Sequence, residues 1–222
     1  MVQIQRSNRR RRLAVWAAPP LALLLAAPAP AADPGELNCP RGTEAKGGRP
    51  PKVRKQWCAL PDGSQHGPSI RYYGSGKVMV RAEFSKGEMT GEYRAWHGNG
   101  QLAESGTYVR DDRDGTFRTF DGEGMVLSEE NYKQGVVHGR SRVWFPSGQL
   151  MVDAEFANGR RNGPAVTYYG NGNKRTEGVF LNNKHHGKWQ GWYEDGSLKK
   201  VAEFDEGREL SRQEFPRESG GD

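Results

Sequence analysis

The side chains of this sequence best suited to redox, metal or proton-transfer chemistry belong to two cysteines and five histidines. Cys39 and Cys58 have no further ligand at the spacing of a zinc site, which disfavours a metal centre. In an oxidising compartment a lone pair of cysteines predicts one disulfide. Its loop of about 20 residues would contribute about 3 kcal/mol in the chain-entropy model. Two unpaired buried thiols are the alternative.

Three of the histidines, His66, His138 and His186, occupy the same position of a repeated pattern. A ladder of metal ligands or proton carriers needs histidines from adjacent repeats, and no two of these three lie in adjacent repeats. We therefore expect a turn role that recurs three times. His185 and His186 form an exposed turn pair in this interpretation, with adventitious metal binding at most.

Sequence signatures of catalysis are missing. The chain contains no GxxxxGK[ST] phosphate loop and no HExxH, GxSxG or CxxC motif. Its GxG triplets resemble hairpin turns, and its carboxylates are scattered among basic residues. The sequence therefore predicts a protein that is not an enzyme, with no catalytic residue, no metal ligand and no cofactor.

The N-terminus has the pattern of an export signal. Arginines fill residues 9–12, residues 13–27 are apolar, and Ala29 and Ala31 stand where signal peptidase accepts small residues. We expect a signal peptide over residues 1–31 and a protein exported to the periplasm, the cell envelope or the exterior. An uncleaved membrane anchor is the alternative, although the apolar run is short for a spanning helix.

The formal charge of +6 does not indicate a nucleic-acid partner. Five of the 33 lysines and arginines lie in the leader, so the 28 that remain face 27 acidic residues. Binding to phosphate backbones needs a basic surface, which a balanced chain does not provide.

The elements that position these residues come from a 24-residue repeat. Glycine fills one column at residues Gly67, Gly91, Gly115, Gly139, Gly163 and Gly187. It fills a second column at Gly76, Gly100, Gly124, Gly148, Gly172 and Gly196. A fixed period of this kind indicates a repeat architecture rather than a single central core.

Each row of 24 residues contains two turn signals. The second glycine column ends triplets such as Gly98-Asn99-Gly100, in which Asn-Gly predicts a tight hairpin turn with both residues at positive φ. The other turn centres on Gly87, Asp111, Gly135, Gly159, Asn183 and Gly207, and Asp and Asn tolerate the left-handed region best after glycine. Two turns leave two strands of about six or seven residues, whose alternating polarity favours antiparallel hairpins.

Two columns are aromatic in every row. The first, a possible binding face, comprises Tyr72, Trp96, Phe120, Trp144, Tyr168 and Trp192. The second comprises Phe84, Tyr108, Tyr132, Phe156, Phe180 and Phe204. A column of small residues beside them suggests that rings of one hairpin lie over the next. Both columns could alternatively serve as the only core that such a sheet has.

Units such as residues 104–124 and 133–150 resemble MORN repeats of the longer bacterial variant, whose members are often described as antitoxins. The shared elements are the Gly-x-aromatic step at Gly106 and Tyr108 and the repeated His-Gly pair. The resemblance covers about residues 66–210. It implies an all-β fold in which about six 24-residue β-hairpins form one elongated, twisted antiparallel sheet.

Departures from the pattern predict irregular third and fifth rows. Glu130 stands in the small-residue column, Lys174 stands in an aliphatic one, and Ser69, Ser141 and Ala165 replace an additional aromatic. At the front, residues 54–63 read as a half repeat that forms the first strand. Residues 32–65 would be a cap tied across that strand edge by the disulfide, and residues 211–222 a polar tail.

These features predict a non-catalytic exported scaffold that binds an unidentified protein in the bacterial cell envelope. Hairpin arrays present long surfaces, and aromatic residues favour recognition. The resemblance also implies two alternatives, a module that binds lipid or membrane surfaces and an antitoxin-like partner-binding protein. Balanced charge disfavours the first, and export disfavours neutralisation of a cytoplasmic toxin.

Overall fold

The computed structural model describes residues 35–217, which form one open antiparallel sheet of 16 strands. The predicted signal peptide lies outside the described residues. The strands are β1 (Glu44–Gly48), β2 (Lys55–Ala59), β3 (Gln65–Tyr72), β4 (Val78–Ser85), β5 (Glu88–Trp96), β6 (Leu102–Val109), β7 (Asp112–Arg113), β8 (Gly115–Phe120), β9 (Val126–Lys133), β10 (Val136–Trp144), β11 (Leu150–Ala157), β12 (Arg160–Tyr168), β13 (Lys174–Leu181), β14 (Lys184–Trp192), β15 (Leu198–Asp205) and β16 (Arg208–Glu214).

Each strand pairs with the next along the chain, apart from the short β7, which pairs with β6. The predicted all-β array of hairpins in one sheet is confirmed. The expected irregularity of the third row is found as the break between β7 and β8. The expectation for the fifth row was wrong, because β12 and β13 pair in the same register as the other hairpins, with Gly163 opposite Phe180 and Ala165 opposite Gly178.

The turns at the second glycine column differ from the predicted two-residue form. The N–H of His97 donates to Gln101 O at 2.8 Å, and the N–H of Gly100 donates to His97 O at 2.8 Å. Only Gly100 has a positive φ, at 100°. Asn99 instead accepts the N–H of Gln101 on its side-chain oxygen at 3.0 Å, as Asn commonly does in turns. The prediction that Asn99 and Gly100 form a two-residue turn with both residues at positive φ was therefore wrong.

Type I′ turns occur at the opposite ends of the strands. Lys86 and Gly87 have φ values of 49° and 93°, and a type I′ turn requires positive φ at both central residues. The expected left-handed residue is found at the second position of all six turns. The first position was missed, and its residues have φ between 47° and 51°: Lys86, Arg110, Gln134, Asn158, Asn182 and Glu206.

The two ends of the sheet extend beyond the predicted repeats. Residues 54–63 contribute β2, not the first strand, because β1 pairs along its other side with Glu44 opposite Ala59. The sequence of β1 lacked the apolar alternation by which strands are recognised. At the other end β16 pairs with β15. Residues 211–214 of the expected tail therefore belong to the sheet.

The N-terminal segment covers an edge and a face of the sheet, since β1 pairs along the edge of β2 as the predicted cap requires and the residues before β1 lie over one face. Cys39 and Cys58 form the predicted disulfide, and Cys58 is fully buried in β2. Arg49 Nη2 donates to Gly35 O at 2.7 Å, and Arg81 Nη1 donates to Glu36 O at 2.7 Å. Because Arg81 lies in β4, the segment crosses several strands.

Candidate functional site

One face of the sheet, here called the aromatic face, carries Tyr93, Phe117, Trp189 and the residues opposite them. Tyr93 is paired with Gly106 and Trp189 with Ala202. A Cβ on Gly106 would lie 2.4 Å from the Phe117 ring, and one on Gly178 would lie 2.2 Å from the Trp189 ring. The prediction that rings lie over small residues of the neighbouring hairpin is confirmed.

The rings of this face contact one another in series. Tyr93 and Tyr108 have centroids 5.4 Å apart, Tyr108 and Phe117 5.3 Å, and Phe117 and Tyr132 5.4 Å, all edge to face. Such geometry is the preferred one for aromatic pairs. The series joins the second aromatic column to the additional aromatics, so both serve the packing of the sheet.

Arg113 closes a polar network on this face. Its guanidinium lies 4.6 Å from the Phe117 ring centroid and donates to Glu104 Oε1 at 2.7 Å and Tyr132 Oη at 3.2 Å. The Tyr132 hydroxyl in turn donates to Glu130 Oε2 at 2.9 Å. Burial opposes the charge of Arg113, but hydrogen bonds with Tyr108 and Tyr132 and the charge of Glu104 together raise its pKa. The network explains how Glu130 is tolerated in a column of small residues.

His185 occupies the position of Arg113 in the last hairpin. Its ring centroid lies 4.1 Å from that of Trp189 and 5.0 Å from those of Phe180 and Phe204. Burial lowers the pKa of His185, and the charges of Lys200 and Arg161 lower it further. The expectation of an exposed turn pair was wrong, because His185 and His186 are half-buried within β14.

The predicted turn role of the histidine column is found in the type I′ turns. His66 Nδ1 accepts the N–H of Lys86 at 3.3 Å, and His138 Nδ1 accepts the N–H of Asn158 at 3.5 Å. Other rows place different acceptors at this position, namely Thr90, Asp114 and Asn162. His186 Nδ1 is buried without a hydrogen-bond partner among residues 35–217, 3.8 Å from Asp205 Oδ1. In the same range no three His, Cys, Asp or Glu side chains cluster as metal ligands.

Asp111 and Asn183 join neighbouring rows through their side chains. Asp111 Oδ1 accepts the N–H of Met89 at 2.7 Å, while its own N–H donates to Met89 O at 2.9 Å. Asn183 makes the same pair of bonds with Arg161. Sequence reasoning recognised their tolerance of positive φ but not this second function, which the repeat spacing could have suggested.

The first aromatic column lies at the ends of the first strands, beside the glycine triplets. Tyr72 is buried, and its hydroxyl donates to Gln56 Oε1 at 2.6 Å. The other members are half-buried: Trp96, Phe120, Trp144, Tyr168 and Trp192. In three rows the residue after the aromatic reaches the next row: Tyr73 Oη donates to Trp96 O at 2.7 Å, Tyr169 Oη donates to Trp192 O at 2.9 Å, and His97 Nε2 lies 2.9 Å from Phe120 O.

The opposite face of the sheet, here called the ionic face, carries alternating charges. Arg118, Glu129, Arg142 and Asp153 are opposed in that order across four strands. Arg118 Nε lies 2.8 Å from Glu129 Oε2, and Arg140 Nε donates to Asp153 Oδ1 at 2.7 Å. The hydrogen bond from Arg140 lowers the pKa of Asp153. These charges are largely matched within the chain.

Comparison with protein families matches the MORN repeat variant to five segments, residues 65–86, 89–110, 113–134, 137–158 and 186–206. The chain carries MORN-variant repeats. The intervening hairpin of β12 and β13 keeps the register of its neighbours, although no matched segment covers it. MORN repeats are non-catalytic modules generally associated with binding to membranes, lipids or proteins. None of the curated proteins matches this chain.

Within residues 35–217, no helix has the length and apolar character required to cross a bilayer.

Proposed function

We propose that this MORN-repeat protein is a non-catalytic scaffold, exported to the bacterial cell envelope, that binds a protein partner. The observation that supports it most is the row of half-buried aromatics at the ends of the first strands, Trp96, Phe120, Trp144, Tyr168 and Trp192. The ring-to-ring contacts of residues 35–217 run instead through the second column and the additional aromatics. The row therefore offers aromatic surface that recognition favours.

Export is supported by the leader pattern and by the disulfide between Cys39 and Cys58, since disulfides persist mainly outside the cytoplasm. A fusion of the leader to a reporter that is active only after export tests this part of the proposal. A reporter that stays inactive would remove the envelope assignment. An antitoxin-like role would regain weight in that case.

The binding role is tested by replacing Trp96, Trp144 and Trp192 together with Ala. We expect proteins that co-purify with the wild-type chain from an envelope extract to be lost, with a small change in thermal midpoint. Phe156→Ala is the matched control, because Phe156 packs against the buried Ala154, Ala165 and Phe180. It should lower the midpoint and retain the partner. Unfolding of the tryptophan variant without a specific binding defect would assign the row to the core.

Flotation of the leader-free protein with vesicles of phosphatidylglycerol separates the protein-binding role from the lipid-binding alternative. We expect no flotation, since the basic and acidic residues outside the leader nearly balance. If the wild-type protein floats and the triple variant of Trp96, Trp144 and Trp192 does not, the partner would be a membrane surface and not a protein.

A further inference from the structure

Strand β16, the last strand of the described residues 35–217, forms an open edge of the sheet there. All seven of its residues are exposed, and among residues 35–217 its only strand partner is β15. After β16 the chain continues beside the turn that precedes β15, where Arg217 Nε lies 3.4 Å from Asp195 Oδ2 and its guanidinium 4.8 Å from the Tyr193 ring centroid. An unpaired strand edge of this kind is a template for pairing with another chain.

The backbone groups of Arg212 and Glu214 point away from the sheet. The N–H of Phe215 donates to Lys199 O at 2.8 Å, so the backbone groups of Phe215 point toward β15. In an antiparallel strand successive residues direct their N–H and C=O groups to opposite sides. Glu214 and Arg212 therefore present both of their backbone groups at the open edge, while Gln213 is bonded inward.

The side chains at this edge are complementary to themselves. Arg212 and Glu214 stand opposite Ala202 and Lys200, on the aromatic face, and Gln213 is on the ionic face. If two copies pair antiparallel about a two-fold axis at Gln213, Arg212 of each copy lies opposite Glu214 of the other. The register keeps every side chain on its own face, which strand pairing requires.

We propose that two copies of this chain associate through their β16 strands, so that one continuous sheet runs through the dimer. The outward N–H and C=O groups of Arg212 and Glu214 then form hydrogen bonds across the axis. Arg212 then adds Glu214 of the other copy to the two carboxylates that it contacts in its own chain, Glu209 Oε2 at 2.8 Å and Glu214 Oε1 at 3.2 Å. Leu210, which is 53% exposed, lies just outside the paired segment and gains cover.

The isologous contact fits β16 better than a head-to-tail contact between β16 and β1. Gly47 in β1 has a φ of 79°, which departs from extended geometry and interrupts the regular outer ladder there. A head-to-tail contact between unlike edges would also add copies without limit unless its rotation closed a ring. A two-fold contact uses both β16 edges and ends the assembly at two copies.

Charge reversal at the paired residues tests the proposal. The molecular mass of each purified protein is measured by light scattering during gel filtration, over a range of protein concentrations. Wild type is expected at twice the monomer mass. Arg212→Glu and Glu214→Arg each place like charges opposite one another, and each is expected to be monomeric. A mixture of the two variants restores opposite charges at both positions and is expected to form a heterodimer.

Arg208→Glu is the control, because Arg208 lies outside the paired segment, and it should leave the dimer unchanged. Circular dichroism should show the same thermal midpoint for the monomeric forms of all variants, since these side chains are exposed. A monomeric wild type, dimeric single variants, a mixture that stays monomeric, or wild-type assemblies that grow beyond two copies would each overturn the proposal.

Discussion

Arg113 and His185 are equivalent residues of the third and the sixth hairpin, and each lies against the aromatic side chain four positions later in the chain. The Arg113 guanidinium is 4.6 Å from the Phe117 centroid, and the His185 ring centroid is 4.1 Å from that of Trp189. Glu104 of the second hairpin supplies a counter-ion to Arg113 at 2.7 Å, whereas Lys200 and Arg161 are the charges that act on His185. One repeat position thus holds a fixed cation in one row and a titratable ring in another.

Stability should therefore fall in mild acid through His185. Its pKa is lowered by folding, so the unfolded chain takes up the proton first. The contribution is fully present above the unfolded pKa of about 6.5 and declines as the pH falls from there to the folded pKa. Urea unfolding between these limits should show a pH slope that His185→Gln reduces. A slope that His185→Gln leaves unchanged would exclude His185 as its source.

Replacing Arg113 with Met should lower the free energy of unfolding by about 2 kcal/mol, because it leaves half-buried charged and polar groups without a partner. Glu104 would lose its guanidinium partner, and Tyr132 one of its hydrogen bonds. The double variant Arg113→Met with Glu104→Gln should recover part of that loss in urea unfolding, since the coupled pair is removed together. Strictly additive effects would show that the two side chains do not interact.

Gly106 should tolerate no side chain. A Cβ there would lie 2.4 Å from the Phe117 ring, so Gly106→Ala must displace a ring of the aromatic series, at a cost of about 1–3 kcal/mol. Gly98→Ala is the matched control, because a Cβ at Gly98 would meet no atom within 4 Å. Chemical denaturation should separate the two variants clearly. Equal stability would mean that Phe117 has free space on another side.

The glycines illustrate how much of the fold could be read from the sequence. Period and spacing predicted the hairpins, the single sheet and the covering of glycine by rings, because these depend on residues that recur in every row. The first position of the type I′ turns was not predicted, since Lys86 and Glu206 carry no local preference for positive φ. Their conformation follows from strand twist, and at Lys86 also from His66, whose Nδ1 accepts the N–H of Lys86.

The candidate surface was less predictable than the fold. Both aromatic columns look alike in sequence, and only the ring contacts show that Tyr108 and Tyr132 belong to the packed series. The outer strands β1 and β16 were missed because each lies beyond the repeating pattern, and their pairing depends on an existing edge. The placement of the N-terminal segment over a face likewise depends on contacts between residues far apart in sequence, such as Arg81 and Glu36.

Glu206→Asn should stabilise the last type I′ turn. Glu206 has a φ of 47°, and Asn tolerates the left-handed region better than Glu, so we expect a gain of about 0.5 kcal/mol. Asn158→Glu makes the opposite exchange in the equivalent turn, where Asn158 has a φ of 50°, and should lose a similar amount. Thermal unfolding of both variants measures the two changes in stability. Shifts of the same sign would show that turn conformation does not govern the difference.

Removing the disulfide should cost about 3 kcal/mol and expose one face of the first strands. The double replacement of Cys39 and Cys58 with Ala avoids burying a hydroxyl where Cys58 is fully buried. Without the bond, the segment is held by contacts such as the 2.7 Å hydrogen bonds of Arg49 and Arg81 to backbone carbonyls, so its amides should exchange faster with solvent. Reductant should lower the thermal midpoint of wild type and leave that of the variant unchanged. Equal exchange rates in the two proteins would mean that these hydrogen bonds suffice to hold the segment on the sheet.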